Sequence, residues 1–308
     1  MSAHQVTVRA PAKINLGLSV GPPRPDGFHP LATVYQAVAL YDDVTATLRD
    51  DSDVTVEVLG DFAADVPTDS TNLAVKAAQV LQAEYDVEEG VDLVIRKTIP
   101  VAGGMAGGST DAAATLVACN RLWGLGLAQV ELERIAADLG SDVPFCLVGH
   151  TALGRGRGEQ VTEVMSRGTF HWVFAIAEGG LSTPAVYREL DRLRPLRRVE
   201  PPEVHPELLT ALLSGQPAAL AVALSNDMQA AALSLRPELA ATLQFGLDQG
   251  ALAAMISGSG PTCLFLAADS RRAVDLAVEL AESGLCRMVR QAEGPVPGAR
   301  ILPAPIPR

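Results

Sequence analysis

Pro100-Val-Ala-Gly-Gly-Met-Ala-Gly-Gly-Ser-Thr-Asp111 is the most informative stretch of this 308-residue chain. Its four glycines in six residues let the backbone turn tightly and leave N–H groups uncovered. Val91–Ile95 precedes it as a predicted strand, and the alanine-rich Ser109–Trp123 follows as a predicted helix. A helix N-terminus offers unpaired N–H donors and partial positive charge, so this order predicts a phosphate cradle built mainly from backbone. A plain turn, N-capped by Ser109 or Thr110, is the alternative for the motif taken alone.

Strand and helix patterns interleave on both sides of this loop. Before it, the pattern predicts strands at Val6–Arg9, Val44–Leu48 and Val54–Leu59, a hairpin turn at Asp50–Asp53 and a helix at Asn72–Glu84. After it, the pattern predicts helices at Val130–Leu139, Pro184–Leu193, Pro206–Leu213, Gln216–Leu224, Pro237–Gln249 and Ala273–Ser283, and strands at His171–Ala177, Ala251–Ile256 and Thr262–Ala267. Arg194–Pro206 is predicted to be an exposed connection, and Gly294–Arg308 an extended surface tail. The interleaving favours a pair of α+β or α/β domains, divided between Arg157 and Phe170.

Composition narrows the class of protein. Hydrophobic residues make up 48% of the chain, enough for a sizeable core, and the net charge is −12. Nucleic acids and anionic membranes select basic surfaces, so neither is expected as a partner. The four cysteines form no C-x-x-C pair, and Met1–Lys13 has no apolar signal-peptide core, which together favour reduced cysteines and a cytoplasmic protein.

Several common nucleotide sites are absent from the sequence. The chain has no Gly-Lys dipeptide and therefore no Walker A loop, and it has no G-x-G-x-x-G dinucleotide fingerprint. If the chain handles a nucleotide, it uses another architecture.

Further segments carry a resemblance to a known family. Together with residues 100–110, Ala10-Pro-Ala-Lys-Ile-Asn-Leu16 and Ser257-Gly-Ser-Gly-Pro-Thr262 resemble the three signature segments of the GHMP small-molecule kinases. Asp26-Gly-Phe-His29 and Leu139-Gly-Ser-Asp-Val-Pro-Phe145 resemble one branch, whose acceptor is cytidine diphosphate methylerythritol. The resemblance spans nearly the whole chain.

This resemblance implies an α+β, two-domain GHMP kinase fold. The N-terminal ATP-binding domain, ribosomal-S5-domain-2-like, would cover residues 1–165, and a ferredoxin-like C-terminal domain would complete the substrate cleft over residues 166–308. The implied activity is ATP-dependent phosphorylation of the acceptor's 2-hydroxyl, in the non-mevalonate route to isoprenoid precursors. Another GHMP kinase, of the homoserine or mevalonate type, is the first alternative, and a non-catalytic ligand sensor on the same fold is the second.

The resemblance also assigns two catalytic residues. Asp142 matches the family's catalytic aspartate, which would accept the hydroxyl proton, and Lys13 matches the active-site lysine, which would orient that carboxylate and stabilise developing charge. Taken without the family match, Asp142 is more typical of a turn or N-cap aspartate, and Lys13 of a surface lysine.

The substrate positions follow from the same resemblance. Phe28 and Tyr187 match two aromatic residues that sandwich the cytosine, although the family usually has tyrosine where this chain has Phe28. His29 matches the residue that reads the cytosine edge, and the remaining implied substrate positions are Asn15, Thr183, Ser257, Gly258, Ser259 and Gly260.

ATP is the implied phosphoryl donor. Asn72 and Lys97 match positions near the adenosine, and the implied phosphate-binding residues are Pro100, Val101, Ala102, Gly103, Gly104, Met105, Ala106, Gly107, Gly108, Ser109 and Thr110. Asp111 departs from the expected Asn or Ala, and an acid beside phosphates would repel them unless it points away. No metal-ligand cluster is visible, so Mg²⁺ is expected to arrive with ATP. A monomer or weak homodimer is expected.

Overall fold

Two β-sheets with helices packed on them form the structure, a computed structural model that describes residues 4–194 and 199–303. The strands are β1 (Gln5–Val20), β2 (Leu31–Arg49), β3 (Val54–Gly60), β4 (Gly90–Lys97), β5 (Thr151–Arg155), β6 (Gln160–Glu163), β7 (Phe170–Ile176), β8 (Ser225–Asn226), β9 (Ala253–Ile256), β10 (Cys263–Ala267), β11 (Met288–Gly294) and β12 (Arg300–Ile301). The helices are α1 (Leu73–Tyr85), α2 (Gly107–Leu122), α3 (Gln129–Leu139), α4 (Val143–Val148), α5 (Thr183–Leu193), α6 (Pro206–Ser214), α7 (Pro217–Ala223), α8 (Gln229–Leu235), α9 (Leu239–Asp248) and α10 (Ser270–Glu282).

The first sheet is built on the long antiparallel pair of β1 and β2. Its strand order is β12-β1-β2-β4-β3, with β5 added beside β2, β6 beside β5 and β8 beside β1. The β1–β2 register shifts between Pro11 and Ala12 and again between Asn15 and Gly17. Bulges re-aim side chains, and these two flank the segment that carries Lys13 and Asn15.

The predicted hairpin at Asp50–Asp53 is wrong. β2 and β3 are not neighbours, because β4 lies between them, antiparallel to β2 and parallel to β3. The chain reaches β4 from β3 through α1, a crossover that a parallel pair requires. Alternation of apolar residues shows that β2 and β3 are strands, but it carries no information about which strands pair.

The second sheet has the order β11-β7-β10-β9 and is antiparallel throughout. α9 and α10 pack on one of its faces around Phe265 and Leu276. The other face shares a core with β1 and β2, in which Trp172 and Leu264 meet Ile14. This mixture of sheets and helices confirms the α+β class.

Most predicted elements are confirmed, but β1 runs 11 residues past the predicted end at Arg9, and β2 begins 13 residues before the predicted start at Val44. The two sheets separate along the chain between Glu163 and Phe170, and a domain boundary at residues 165–166 stays our proposal. β8 and β12 come from the C-terminal half and yet join the first sheet. Residues 195–198 of the predicted exposed connection lie outside the described residues. Within the described ranges, no helix has the length and apolar character needed to cross a membrane.

The predicted tail is extended, but it is bonded into the first sheet rather than lying loosely on the surface. Val296 donates its N–H to Ala37 O at 3.1 Å and accepts from His150 N at 2.7 Å, and Ala299 N donates to Cys146 O at 2.8 Å. At Gly298 a Cβ would lie 2.2 Å from Leu147 O. The tail therefore packs against α4, and residues 304–308 of the prediction lie outside the described residues.

Substituting Gly298→Ala tests this packing. The added methyl has no room beside the Leu147 carbonyl, so the free energy of unfolding should fall by about 1–3 kcal/mol in urea denaturation. Gly108→Ala is the control, because a Cβ there meets Leu73 at an ordinary 3.5 Å inside a helix. Equal stability of the Gly298→Ala variant and the unsubstituted chain would contradict the tail contact.

Candidate active site

A cleft of about 700 Å³ lies where the two halves of the chain meet. Most of the predicted site residues line it: Lys13, Asn15, Phe28, His29, Pro100, Ala102, Gly103, Gly104, Ala106, Gly107, Gly108, Ser109, Asp142, Thr183, Tyr187, Gly258 and Ser259. The cleft thus collects segments that are more than 200 residues apart in the sequence.

Lys13 and Asp142 meet in this cleft. Lys13 Nζ lies 3.5 Å from Asp142 Oδ2, with the lysine side chain 7% exposed and the aspartate 30% exposed. Asp142 occupies the N-cap position of α4, but its carboxylate makes no capping hydrogen bond to the residues that the structure describes. Neither the surface-lysine nor the capping-aspartate alternative matches this geometry. The carboxylate is held beside an ammonium and is open to the cleft.

A chain of buried polar groups orients Lys13. Its Nζ donates to Asn15 Oδ1 at 2.8 Å, Asn15 Nδ2 donates to Thr33 Oγ1 at 2.8 Å, and Thr33 donates to Gly17 O at 2.7 Å. The Lys13 backbone N–H also donates to Met105 O at 3.2 Å. The ammonium is therefore fixed from the β1–β2 sheet, and its strand is bonded to the glycine loop.

Tyr35 lies beneath this pair, and the sequence motifs gave no signal for it. Its ring centroid is 5.5 Å from Lys13 Nζ and 4.8 Å from the ring of Phe145. Burial, and then the charge of Asp142, raise the pKa of the Tyr35 hydroxyl well above its ordinary value. The tyrosine is consequently neutral and contributes a rigid wall to the site.

The glycine loop ends in an open helix N-terminus. α2 begins at Gly107, and its N-cap residue, Ala106, has a left-handed φ of 60° and no side-chain cap. The Thr110 N–H bonds to Ala106 O at 2.8 Å, which leaves Gly107, Gly108 and Ser109 as first-turn donors without intrahelical partners. The alternative of a cap by Ser109 or Thr110 is wrong. Uncapped N–H groups and the helix dipole at the cleft are suited to the phosphates of ATP.

The two glycine-rich loops touch backbone to backbone. A Cβ on Gly104, where φ is +77°, would lie 1.9 Å from Ser257 O. Ser257 Oγ also donates to Gly104 O at 3.1 Å. Next to this contact, the hydroxyls of Ser259 and Thr183 are 2.8 Å apart. The C-terminal loop thus closes one side of the predicted phosphate cradle and brings α5 to the cleft.

Aromatic side chains form the other end of the cleft. His29 stacks on Tyr187, with centroids 4.8 Å apart and planes at 23°, and its Nε2 lies 2.9 Å from Asp191 Oδ1. Phe28 is 49% exposed, and the Arg157 guanidinium lies 5.1 Å from its ring centroid. These flat groups, with cationic neighbours, provide a surface on which a nucleobase can stack.

Some predicted residues face away from the cleft. Thr110 is buried and donates its hydroxyl to Pro11 O at 3.0 Å. Lys97 is buried, with its ammonium hydrogen-bonded to Asp42 and Asp111, and Met105 lies in the core. Asn72, Val101, Ser257 and Gly260 are also absent from the cleft lining. For these side chains, direct contact with a ligand stays a prediction.

The structure adds lining residues that the motifs did not reveal: Leu18, Gly27, Leu31, Tyr35, Leu73, Ser141, Pro184, Arg188, Asp191 and Met228. Of these, only Gly27 and Ser141 lie within the quoted segments Asp26–His29 and Leu139–Phe145. Arg157 also lines the cleft, at its aromatic end.

Comparison with known proteins agrees with this fold and site. Residues 72–150 match the GHMP kinases N terminal domain, and residues 208–284 match the GHMP kinases C terminal domain. A homoserine kinase structure from Cytophaga hutchinsonii, 18% identical, has a TM-score of 0.76 over 98% of both chains and shows the same fold. The chain belongs to the GHMP kinases and is an ATP-dependent small-molecule kinase with their two-domain α+β fold.

Relatives with higher sequence identity over nearly the full chain show to which branch of the GHMP kinases it belongs. The 4-diphosphocytidyl-2-C-methyl-D-erythritol kinases of Nocardia farcinica and Streptomyces avermitilis are each 57% identical to it, over 96% of this chain and 96% and 99% of theirs. A crystal structure of 4-(cytidine 5'-diphospho)-2C-methyl-D-erythritol kinase, 29% identical, has a TM-score of 0.77 and covers 93% of this chain and 98% of its own. Within the GHMP kinases, the chain is a member of this branch.

Substitution of Asn72 tests whether its side chain contacts ATP or only caps α1. Its Oδ1 accepts from Ala74 N at 2.8 Å and its Nδ2 donates to Pro67 O at 2.7 Å, so both ends of the side chain are engaged. Asn72→Ala should lower the free energy of unfolding by about 1 kcal/mol, because α1 loses its cap. The KM for ATP should change less than twofold, roughly the limit of a kinetic comparison. Asn72→Asp, which keeps a capping oxygen, is the control, and a large rise in the ATP KM at unchanged stability would contradict the capping role.

Proposed function

We propose that this chain transfers the γ-phosphoryl group of ATP to the 2-hydroxyl of 4-diphosphocytidyl-2-C-methyl-D-erythritol, giving the 2-phosphate and ADP. One observation carries the proposal: the Lys13–Asp142 pair lies in a single cleft with an open helix N-terminus and an aromatic surface. The names of relatives that are 57% identical over nearly the full chain support the choice of acceptor.

Phosphoryl transfer depends mainly on positioning and charge. The acceptor hydroxyl must lie in line with the transferred phosphate, and its proton needs an acceptor. Asp142, partly open to the cleft, takes that proton. Lys13 Nζ, 3.5 Å away, orients the carboxylate and places positive charge beside the transferred group.

The residues at the start of α2 fit the phosphates of ATP. Gly107 and Gly108 present backbone donors without side chains, and Ala102, Gly103 and Gly104 continue the wall. Mg²⁺ would neutralise charge on the phosphates and polarise the transferred group. Among the described residues, no three His, Cys, Asp or Glu side chains are grouped to hold a metal, so we propose that the ion enters bound to ATP.

The aromatic end fits the cytidine of the acceptor. Phe28 and Tyr187 offer ring faces for the base, and one face of Tyr187 is already covered by His29. His29 is held by Asp191, which fixes the imidazole for contact with the edge of the base. Acceptors that lack a nucleobase, such as homoserine or mevalonate, would leave this end of the cleft unused.

The test of the proposed function is ADP release from Mg·ATP with a panel of acceptors. The panel contains the cytidyl-methylerythritol compound, homoserine, mevalonate and galactose. We expect turnover with the first compound alone. Turnover with another acceptor would refute the cytosine site, and binding of the cytidyl compound without any turnover would support a ligand sensor.

Asp142→Asn tests the proton acceptor. The amide cannot take the hydroxyl proton, so kcat should fall by about 10²–10⁴-fold while the acceptor still binds. Asp138→Asn, at an exposed aspartate four residues before Asp142, is the matched control and should leave kcat unchanged. Near-normal turnover by the Asp142→Asn variant would mean that another group takes the proton.

Phe28→Ala tests the stacking surface. Loss of one base–aromatic contact should raise the acceptor KM about 10- to 100-fold and leave the ATP KM nearly unchanged. Phe28→Tyr keeps the ring, restores the residue usual in the family and should behave like the unsubstituted chain. An equal loss for ATP and acceptor would rule out a specific stacking role.

A further inference from the structure

Beneath the glycine loop lies a cluster of three buried ionisable side chains. Lys97 Nζ is 2.6 Å from Asp42 Oδ2 and 2.6 Å from Asp111 Oδ2. The side chains of Lys97, Asp42 and Asp111 are 1%, 0% and 3% exposed. Lys97 therefore has its ammonium engaged by two carboxylates and closed off from the cleft, away from the adenosine contact expected from the sequence.

The cluster holds the backbone segments that border the glycine loop. Asp42 on β2 accepts from Thr98 N at 2.6 Å and Ile99 N at 2.9 Å, immediately before the loop. On the far side of the loop, a Cβ on Gly107 would lie only 2.9 Å from Lys97 Nζ. Asp111, in the second turn of α2, is the third member. One cluster thus connects β2, the end of β4 and the first residues of α2.

The hydrogen bonds assign the charges within the cluster. Asp42 accepts three donors, whereas Asp111 accepts from Lys97 alone and its Oδ1 is buried without a partner in the described structure. An ionised carboxylate with an unpartnered buried oxygen is costly, so Asp111 is the neutral acid of the cluster. Consistently, burial raises the pKa of Asp111 well above its ordinary value, against the opposing charge of Lys97. The cluster then has no net charge and does not repel phosphates bound above it.

We propose that Asp42, Lys97 and Asp111 form a positioning cluster that holds the glycine loop and the start of α2 in the geometry that binds the phosphates of ATP. Lys97 acts through the backbone at Gly107 rather than by touching the nucleotide. This role accounts for an aspartate at position 111, where an acid beside phosphates is otherwise unfavourable. The proposal rests on the use of ATP and not on the identity of the acceptor.

Calorimetric titration with Mg·ADP, and separately with cytidine diphosphate, tests the cluster. Lys97→Met and Asp42→Asn should each weaken Mg·ADP binding about tenfold or more, as loss of a hydrogen bond to a charged group does. Binding of cytidine diphosphate should stay within about twofold, because the aromatic end is separate. The double variant should be no weaker than the single ones, since both remove the same connection. Asp43→Asn, the neighbour on β2 that pairs with Arg9, is the matched control and should bind Mg·ADP normally.

Three results would overturn the proposal. Weak Mg·ADP binding by Lys97→Met with normal binding by Asp42→Asn would mean that Lys97 contacts the nucleotide directly. Normal binding by both variants would mean that the loop does not need the cluster. Equal losses for Mg·ADP and cytidine diphosphate would indicate general damage to the fold.

Position 111 gives a second comparison should the variants at 42 and 97 fail to fold. Asp111→Asn keeps a neutral acceptor for Lys97 and should bind Mg·ADP within about twofold of normal, whereas Asp111→Leu removes the acceptor and should lose about tenfold. Equal affinity of these two variants would refute the cluster's role. A chain that binds Mg·ADP but not cytidine diphosphate would instead refute the proposed acceptor and leave the cluster intact.

Discussion

The contact between the two glycine-rich loops is the constraint on which the rest of the site depends. Gly104 lies so close to the Ser257 carbonyl that a methyl group there would overlap it. Because of this approach, the sheet carrying Lys13 and the helix carrying Tyr187 border one cleft. The open N-terminus of α2, the Lys13–Asp142 pair and the aromatic surface all border this cleft, so a phosphoryl donor and an acceptor hydroxyl can meet there.

An acidic chain that binds two polyanions must concentrate positive charge locally. The net charge is −12, yet the cleft presents Lys13, Arg157 and the N-terminal donors of α2. The two acidic side chains near the glycine loop are not exposed to the cleft: Asp42 is paired with Lys97, and Asp111 is buried with them. The backbone dipoles at the start of α2 contribute to the positive electrostatic potential of the cleft. Unlike charged side chains, they lose no side-chain entropy when a ligand binds.

Local patterns in the sequence were enough to predict much of the fold and of the candidate site. The glycine loop, the helix after it and most strands follow from periodicity, and the family motifs brought Lys13, Asp142 and the aromatic residues to one place. The pairing of β3 with β4, and not with β2, depends on a crossover that alternation does not encode. The burial of Lys97 could not be predicted from the sequence either, because its partner Asp42 is 55 residues away and belongs to no motif. The start of α2 depends on a left-handed backbone at Ala106, which sequence propensity disfavours.

The central claim is that Lys13 and Asp142 form the centre at which the phosphoryl group passes between the two ends of the cleft. A crystal structure of the chain with a non-hydrolysable ATP analogue and the cytidyl-methylerythritol acceptor tests it most directly. The 2-hydroxyl should lie about 3 Å from an oxygen of Asp142 and in line with the γ-phosphorus. A γ-phosphate bound at the start of α2, with the acceptor hydroxyl turned towards a different side chain, would contradict the claim.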